Sequence, residues 1–159
     1  MAEPATVSVI GFDYSDTSGE PRDQTAEHAK RVRDFSVKLA ETIGADANLD
    51  IVSLPCSQAA KMCTRGSIDA DAPLSEARDA GADYLVFGGI QKMSTLVGWG
   101  RVDVLDVEAD RLIVDRVLSF RGDNDAAFEQ AARFAAKDIV RTLSGDPEEI
   151  NEAAGRKLR

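Results

Sequence analysis

The sequence predicts an α/β fold: one mixed five-stranded sheet with about three helices, in the order βαβαβββα, packed as a single two-layer or three-layer sandwich. Three observations predict it. Short apolar runs bounded by Gly, Pro, Ser and Asp occur at the start and through the middle of the chain, as buried strands require. Two longer segments carry apolar residues at steps of three and four, which is one face of a helix. Two runs of alternating character are joined by "EAD", the pattern of a hairpin.

Taken in order, "VSVIGF" (7–12) reads as a buried first strand. In "TAEHAKRVRDFSVKLAETIG", Val32, Phe35, Leu39 and Ile43 share a helical face, and Gly44 is placed as the closing cap. "LDIVSL" is a short second strand that leads into a cysteine-bearing loop. "PLSEARDAG" makes a brief helix, with Pro73 in its first turn and Gly81 past its end. "DYLVFGGIQKMSTL" is a β-rich run whose Gly88–Gly89 pair marks a bulge or a close approach of another backbone. In the hairpin, Val102, Val104 and Leu105 mark one strand, and Leu112, Val114, Val117 and Leu118 the other. The last helix runs through Phe128, Ala132, Ala135, Ile139 and Leu143. Residues 1–145 therefore form one α/β domain, and residues 146–159 a polar tail or short helix, with neither repeat nor linker. If the crossovers make strands one to three parallel, the hairpin returns strand five in the same direction. The segments after strands one, two, three and five then share the carboxyl-end rim, where open α/β sheets bind ligands.

Composition narrows the function. The 159 residues are 43% hydrophobic and 30% charged, which suits one compact domain. Net charge is −9, from 28 acids against 19 bases, which argues against nucleic acid, whose binding rests on Lys and Arg. No window of about 18 apolar residues suggests a membrane span. Cys56 and Cys63 lie in "PCSQAAKMC"; with one His in the chain they cannot complete a zinc cage. They read as a disulfide closing a short loop, worth roughly 2.5 kcal/mol in the chain-entropy model. That use requires an oxidising compartment, and "AEPA" fits the residues left after signal-peptidase cleavage, so the expected location is the periplasm.

Catalytic patterns find no support. His28, the only histidine, reads as an exposed residue in the first turns of its helix, with no nucleophile elbow, phosphate loop or Walker lysine elsewhere. The chemistry that remains is acidic. "FDYSDTSGEPRD" sets Asp13, Asp16, Glu20 and Asp23 around a Ser18–Gly19 turn, where they can converge on a large, hard cation. The competing use is structural: Asp16 or Asp23 capping the next helix, Glu20 and Asp13 solvated or paired with Arg22. Two further acidic sets are open as sites, Asp69, Asp71 and Glu76 in "SIDADAPLSE", and Asp123 and Asp125 in "RGDND". In the last, one of Asp123, Asn124 and Asp125 is expected to cap the final helix.

The motifs "DTSGEPRDQTAEHAKR", "LVFGGIQKMSTLVGWGRVDVLDVEADRLIVDR" and "SFRGDNDAAFEQA" together resemble a family of exported bacterial proteins catalogued as a domain of unknown function. Its members are associated with quinoprotein alcohol dehydrogenases in methylotrophs, and the resemblance spans about residues 7–143. One member type is a periplasmic lanthanide chaperone. The resemblance implies a non-catalytic exported protein that binds a lanthanide(III) ion and passes it to lanmodulin or another periplasmic protein. Four ligands from one loop leave such an ion under-coordinated, so water or a second chain completes it, and a metal-bridged homodimer is expected. The alternative is a metal-free docking module for a dehydrogenase or transporter, anchored through "TLVGW" and its Trp99.

Overall fold

The structure is a computed structural model that describes residues 4–16, 19, 25–54, 72–94, 97–122 and 124–144. Its elements are β1 (Ala5–Val9), β2 (Asp13–Asp16), α1 (Thr25–Gly44), β3 (Leu49–Ile51), α2 (Ala72–Asp79), β4 (Tyr84–Lys92), β5 (Val97–Asp106), β6 (Arg111–Arg121) and α3 (Asp125–Ser144). They form one mixed sheet in the order β3-β1-β4-β5-β6, with β2 beside β4. Pairings β1–β3, β1–β4 and β2–β4 are parallel, and β4–β5 and β5–β6 antiparallel. β6 therefore runs with β4, as the hairpin connection requires.

One difference from the expected five strands concerns the first of them. β1 pairs Val9 with Val86 and β2 pairs Asp13 with Gly89, so the chain advances four residues against three in β4. One extra residue sits at Ile10–Phe12, a bulge in a strand that otherwise runs straight on. The bulge reverses the side-chain alternation. Val7 and Val9 face α1 and α3; after it, Tyr14 takes that face. Ile10 drops into the opposite cluster, with Leu85 and Leu105. The first part of the acidic "turn" is thus a paired strand, not a loop.

The helices cover the two sheet faces unequally. On one face α1 and α3 lie side by side, burying Phe35, Leu39, Ile43, Phe128, Ala132, Ala135 and Ile139 against Val86, Val102, Val104 and Val114. Phe12 meets Phe35 edge-on, with ring centroids 5.1 Å apart. On the other face α2 places Leu74 and Ala77 over Ile10, Leu85, Leu105 and Val107. α2 has only eight residues, spanning two turns, so it shields only the end of the sheet where β4 begins and β5 finishes.

Local chemistry explains the boundaries. Asn124 is the N-cap of α3: its Oδ1 accepts the Ala127 N–H at 2.8 Å. Gly81 ends the α2 segment at φ +76, a left-handed conformation that glycine adopts without a Cβ clash. Gly88 is a site of close backbone approach. A Cβ there would lie 2.0 Å from the Arg101 carbonyl oxygen of β5. Gly44 is the last residue of α1, not a residue beyond its end, and its Cα faces the Ile51 side chain.

Candidate functional site

Beyond α2, the second sheet face carries no helix among the described residues. β2, β4, β5 and β6 present Asp13 and Ser15, Gly89 and Gln91, Trp99 and Arg101, and Val117 there. Register places Trp99 opposite Gln91 and Ser119, and Arg101 opposite Gly89 and Val117. Because Gly89 has no side chain, a shallow hollow of about 270 Å³ opens between Asp13, Gln91, Trp99 and Arg101. Trp99 is 38% exposed, Val97 41% and Val117 57%, large apolar side chains left to solvent on this face among the described residues.

An ion cluster borders the hollow. Arg101 Nε lies 3.2 Å from Asp103 and 2.9 Å from Asp115. Asp103 and Asp115 are direct cross-strand partners, so two carboxyls of like charge face each other with one guanidinium between them. Burial and the hydrogen bond with Asp115 push the Asp103 carboxyl up to about 6, against the opposing pull of Arg101. The two carboxyls in turn raise Arg101 further above its ordinary value, first through Asp103. None of these three residues stands out in the sequence. The signal is present in "RVDVLDVEADRLIVD", but only the strand register brings Asp103 and Asp115 together.

The acidic residues singled out from sequence fall in several places. Asp13 borders the hollow on the bare face, and Asp16, an even-numbered residue of β2, lies on the Tyr14 side nearer α1. Strand alternation thus directs these two side chains to opposite faces, so β2 alone does not bring them together. Glu20 and Asp23 lie outside the described residues, as do Asp69, Asp71 and Asp123, and also Cys56 and Cys63. Gly19 has φ +75, a left-handed conformation that glycine adopts readily; the rest of the expected turn lies outside the described residues. Asp125 pairs with Arg31 of α1 at 3.1 Å, and the capping role falls to Asn124. Glu76 lies on α2; its Oε2 is buried with no hydrogen-bond partner among the described residues. The described residues contain no group of three or more His, Cys, Asp or Glu that could hold a metal ion.

His28 differs from expectation: it is 3% exposed, and its ring lies 4.8 Å from that of Tyr14. The reason is helical phase. Positions 28, 32, 35, 39 and 43 form one stripe, so His28 extends the buried face by one turn.

The fold and this surface define a small α/β sandwich in which one sheet face is closed by two long helices and, among the described residues, only α2 covers part of the other. The chain belongs to the family DUF3280, described as "Protein of unknown function (DUF2380)", whose model matches residues 5–140. No curated protein sequence matches it. Among solved structures it is similar to TolB from Acinetobacter baumannii, at 14% identity and TM-score 0.56, covering 92% of this chain and 30% of TolB. It is also similar to the hypothetical protein CT253 from Chlamydia trachomatis, at 13% identity and TM-score 0.56, covering 90% of this chain and 99% of that one. A third is the lipoprotein GNA1162 from Neisseria meningitidis, at 13% identity and TM-score 0.51, covering 87% and 99%. At these identities the likeness establishes the fold. No helix among the described residues is long and apolar enough to cross a membrane.

Proposed function

We propose that the protein is a non-catalytic binding module of the bacterial periplasm that docks onto another envelope protein through the bare half of its sheet. The observation that carries this reading is Trp99. A sheet face left to solvent normally carries polar side chains, yet the part that no described helix covers offers a half-exposed Trp and the neighbouring Val97 and Val117 around the Arg101, Asp103 and Asp115 cluster. Trp beside Arg is the composition of interface hot spots. The fold it shares with a lipoprotein supports an envelope location.

Incorporating a photoreactive phenylalanine at Trp99, or at Val37 on the exposed side of α1 as control, tests the reading in the producing cell. A cross-linked adduct from position 99 that is missing from position 37 is the expected result. Adducts identical from both positions, or none from position 99, refute it.

A second reading, a lanthanide(III) chaperone of the landiscernin type, is favoured by the buried Glu76 Oε2, which has no partner among the described residues and follows Asp69 and Asp71 closely in the sequence. A hard cation satisfies such an oxygen. The Asp13, Asp16, Glu20 and Asp23 set competes for the same role, with Glu20 and Asp23 joining Asp16 on its face of β2. Calorimetric titration with La³⁺ and with Ca²⁺ distinguishes the two sets. The comparison uses wild type, the triple variant Asp16→Asn, Glu20→Gln, Asp23→Asn, and the triple variant Asp69→Asn, Asp71→Asn, Glu76→Gln. Loss of La³⁺ heat in one triple variant assigns the site; no heat in wild type removes the metal reading. Light scattering at stoichiometric La³⁺ reports the metal-bridged homodimer as a doubling of mass.

A further inference from the structure

β6 is an edge strand of 11 residues, and no described strand pairs with its outer side. Among the described residues its outward N–H and C=O groups thus have no strand partner, a condition most proteins prevent by shortening or covering the edge. Beside it, between the second half of β6 and the first half of α3, runs an open groove of about 470 Å³. Val117 and Arg121 line it from the strand, and Ala127, Ala131 and Phe134 from the helix. Phe134 is 61% exposed, the most exposed large apolar residue among those described. An edge strand facing a helix across an apolar trough is the arrangement that accepts a peptide as an added strand.

Charge narrows the occupant. In a chain of net charge −9, the described residues that line the groove include no carboxylate and one cation, Arg121. Arg121 makes no ion pair among the described residues, whereas Arg116 on the same strand is held by Asp138 of α3. A second copy of the chain fits poorly. Antiparallel pairing over the whole of β6 about a twofold axis sets Arg111 against Arg121 of the other copy, and like charges directly opposed destabilise a ladder. We propose that this groove binds an extended segment of another protein, added to the sheet alongside β6. One of its apolar side chains lies against Phe134 and Ala131, and a carboxylate reaches Arg121. The groove adjoins the Trp99 face and shares Val117 with it, but neither Trp99 nor Arg101 lines it, so variants at Trp99 and at Phe134 test the two readings apart.

A random peptide library displayed on phage and selected on the immobilised full chain supplies the probes, and fluorescence anisotropy of the enriched synthetic peptides measures their binding. Expected peptides alternate apolar and polar residues and contain Asp or Glu. Arg121→Glu and Phe134→Ser, both at exposed positions, should each weaken them tenfold or more, while Trp99→Ala leaves them unchanged. Amide shifts on peptide addition should concentrate in residues 114–121. The proposal is overturned if no peptide is enriched or if binding ignores both groove variants. Peptides that prefer Lys or Arg would also overturn it. So would binding that appears only after residues 145–159 are removed, since the chain's own tail would then be the occupant. A β6-dependent dimer in sedimentation would assign the groove to a second copy and equally overturn it.

Discussion

Replacing Asp103 with Asn isolates the energetic consequence of facing two carboxyls across β5 and β6. Asp103 is only 5% exposed, and its carboxyl titrates near 6 where an ordinary aspartate has 3.8. The folded protein thus holds that proton about two pH units longer than the unfolded chain does. Each unit corresponds to about 1.4 kcal/mol, so full ionisation costs the fold at most about 3 kcal/mol. Arg101 is half-exposed and Asp115 a third exposed, so water screens part of the interaction. About 1–2 kcal/mol is the expected net effect. Because the folded pKa is raised, the folded state binds more protons than the unfolded state between about pH 4 and 6. Stability therefore falls as pH rises through that window. Asn has the shape of the protonated carboxyl and never ionises. Wild type and Asp103→Asn should melt together near pH 4, and the variant should melt higher at pH 7.5 by about 2–8 °C, at 2–4 °C per kcal/mol for this size. Thermal unfolding followed by circular dichroism from pH 4 to 8 measures the difference. A gap that does not change with pH refutes the reasoning. So does a variant that is less stable at pH 7.5, which would mean that the Arg101 bridge outweighs the repulsion.

Phe35→Ala should destabilise the fold by about 3–5 kcal/mol, read from urea unfolding, because it empties the buried site between α1 and the sheet and removes the edge-on contact with Phe12. Asn124→Ala should cost about 1 kcal/mol in the same assay by leaving the Ala127 N–H without its cap. Gly88→Ala should be far more damaging than Gly19→Ala, since only at Gly88 does a Cβ meet backbone, and expression of soluble folded protein will rank the two. Trp99→Ala, by contrast, should leave the melting temperature within about 2 °C while removing adducts to a photoreactive group placed at Val97, its neighbour on the bare face.

How far the sequence carried the structure can be seen in particular residues. Val32, Phe35, Leu39 and Ile43 declared the buried face of α1, and all four are buried. The same stripe, traced one turn back, would have placed His28 inside. The apolar stripe of α3, the Pro73 and Gly81 boundaries of α2 and the hairpin around residues 107–110 were legible in the same local way. The shared direction of β1, β3, β4 and β6 was legible too, because it follows from connectivity, while most of the segments expected at the rim lie outside the described residues. The bulge at Ile10–Phe12 was not legible, since an extra residue in one strand is defined only against its partner β4. That single residue sends Asp13 to the bare face and Asp16 to the other, which spacing along the chain had left free to converge.

The sequence by itself determined the helices, most of the extended segments and their relative directions, and membership of a family of unknown function. Those properties arise from periodicity, capping and turn chemistry within a few residues. Tertiary structure alone decided which faces and edges the described residues leave open: the reach of an eight-residue α2, the meeting of Asp103 with Asp115 across 12 residues of chain, and the β6 flank beside α3 that no described strand pairs. Exposure and cross-strand contact are properties of pairs of segments, and no local pattern encodes what will be missing from the other side.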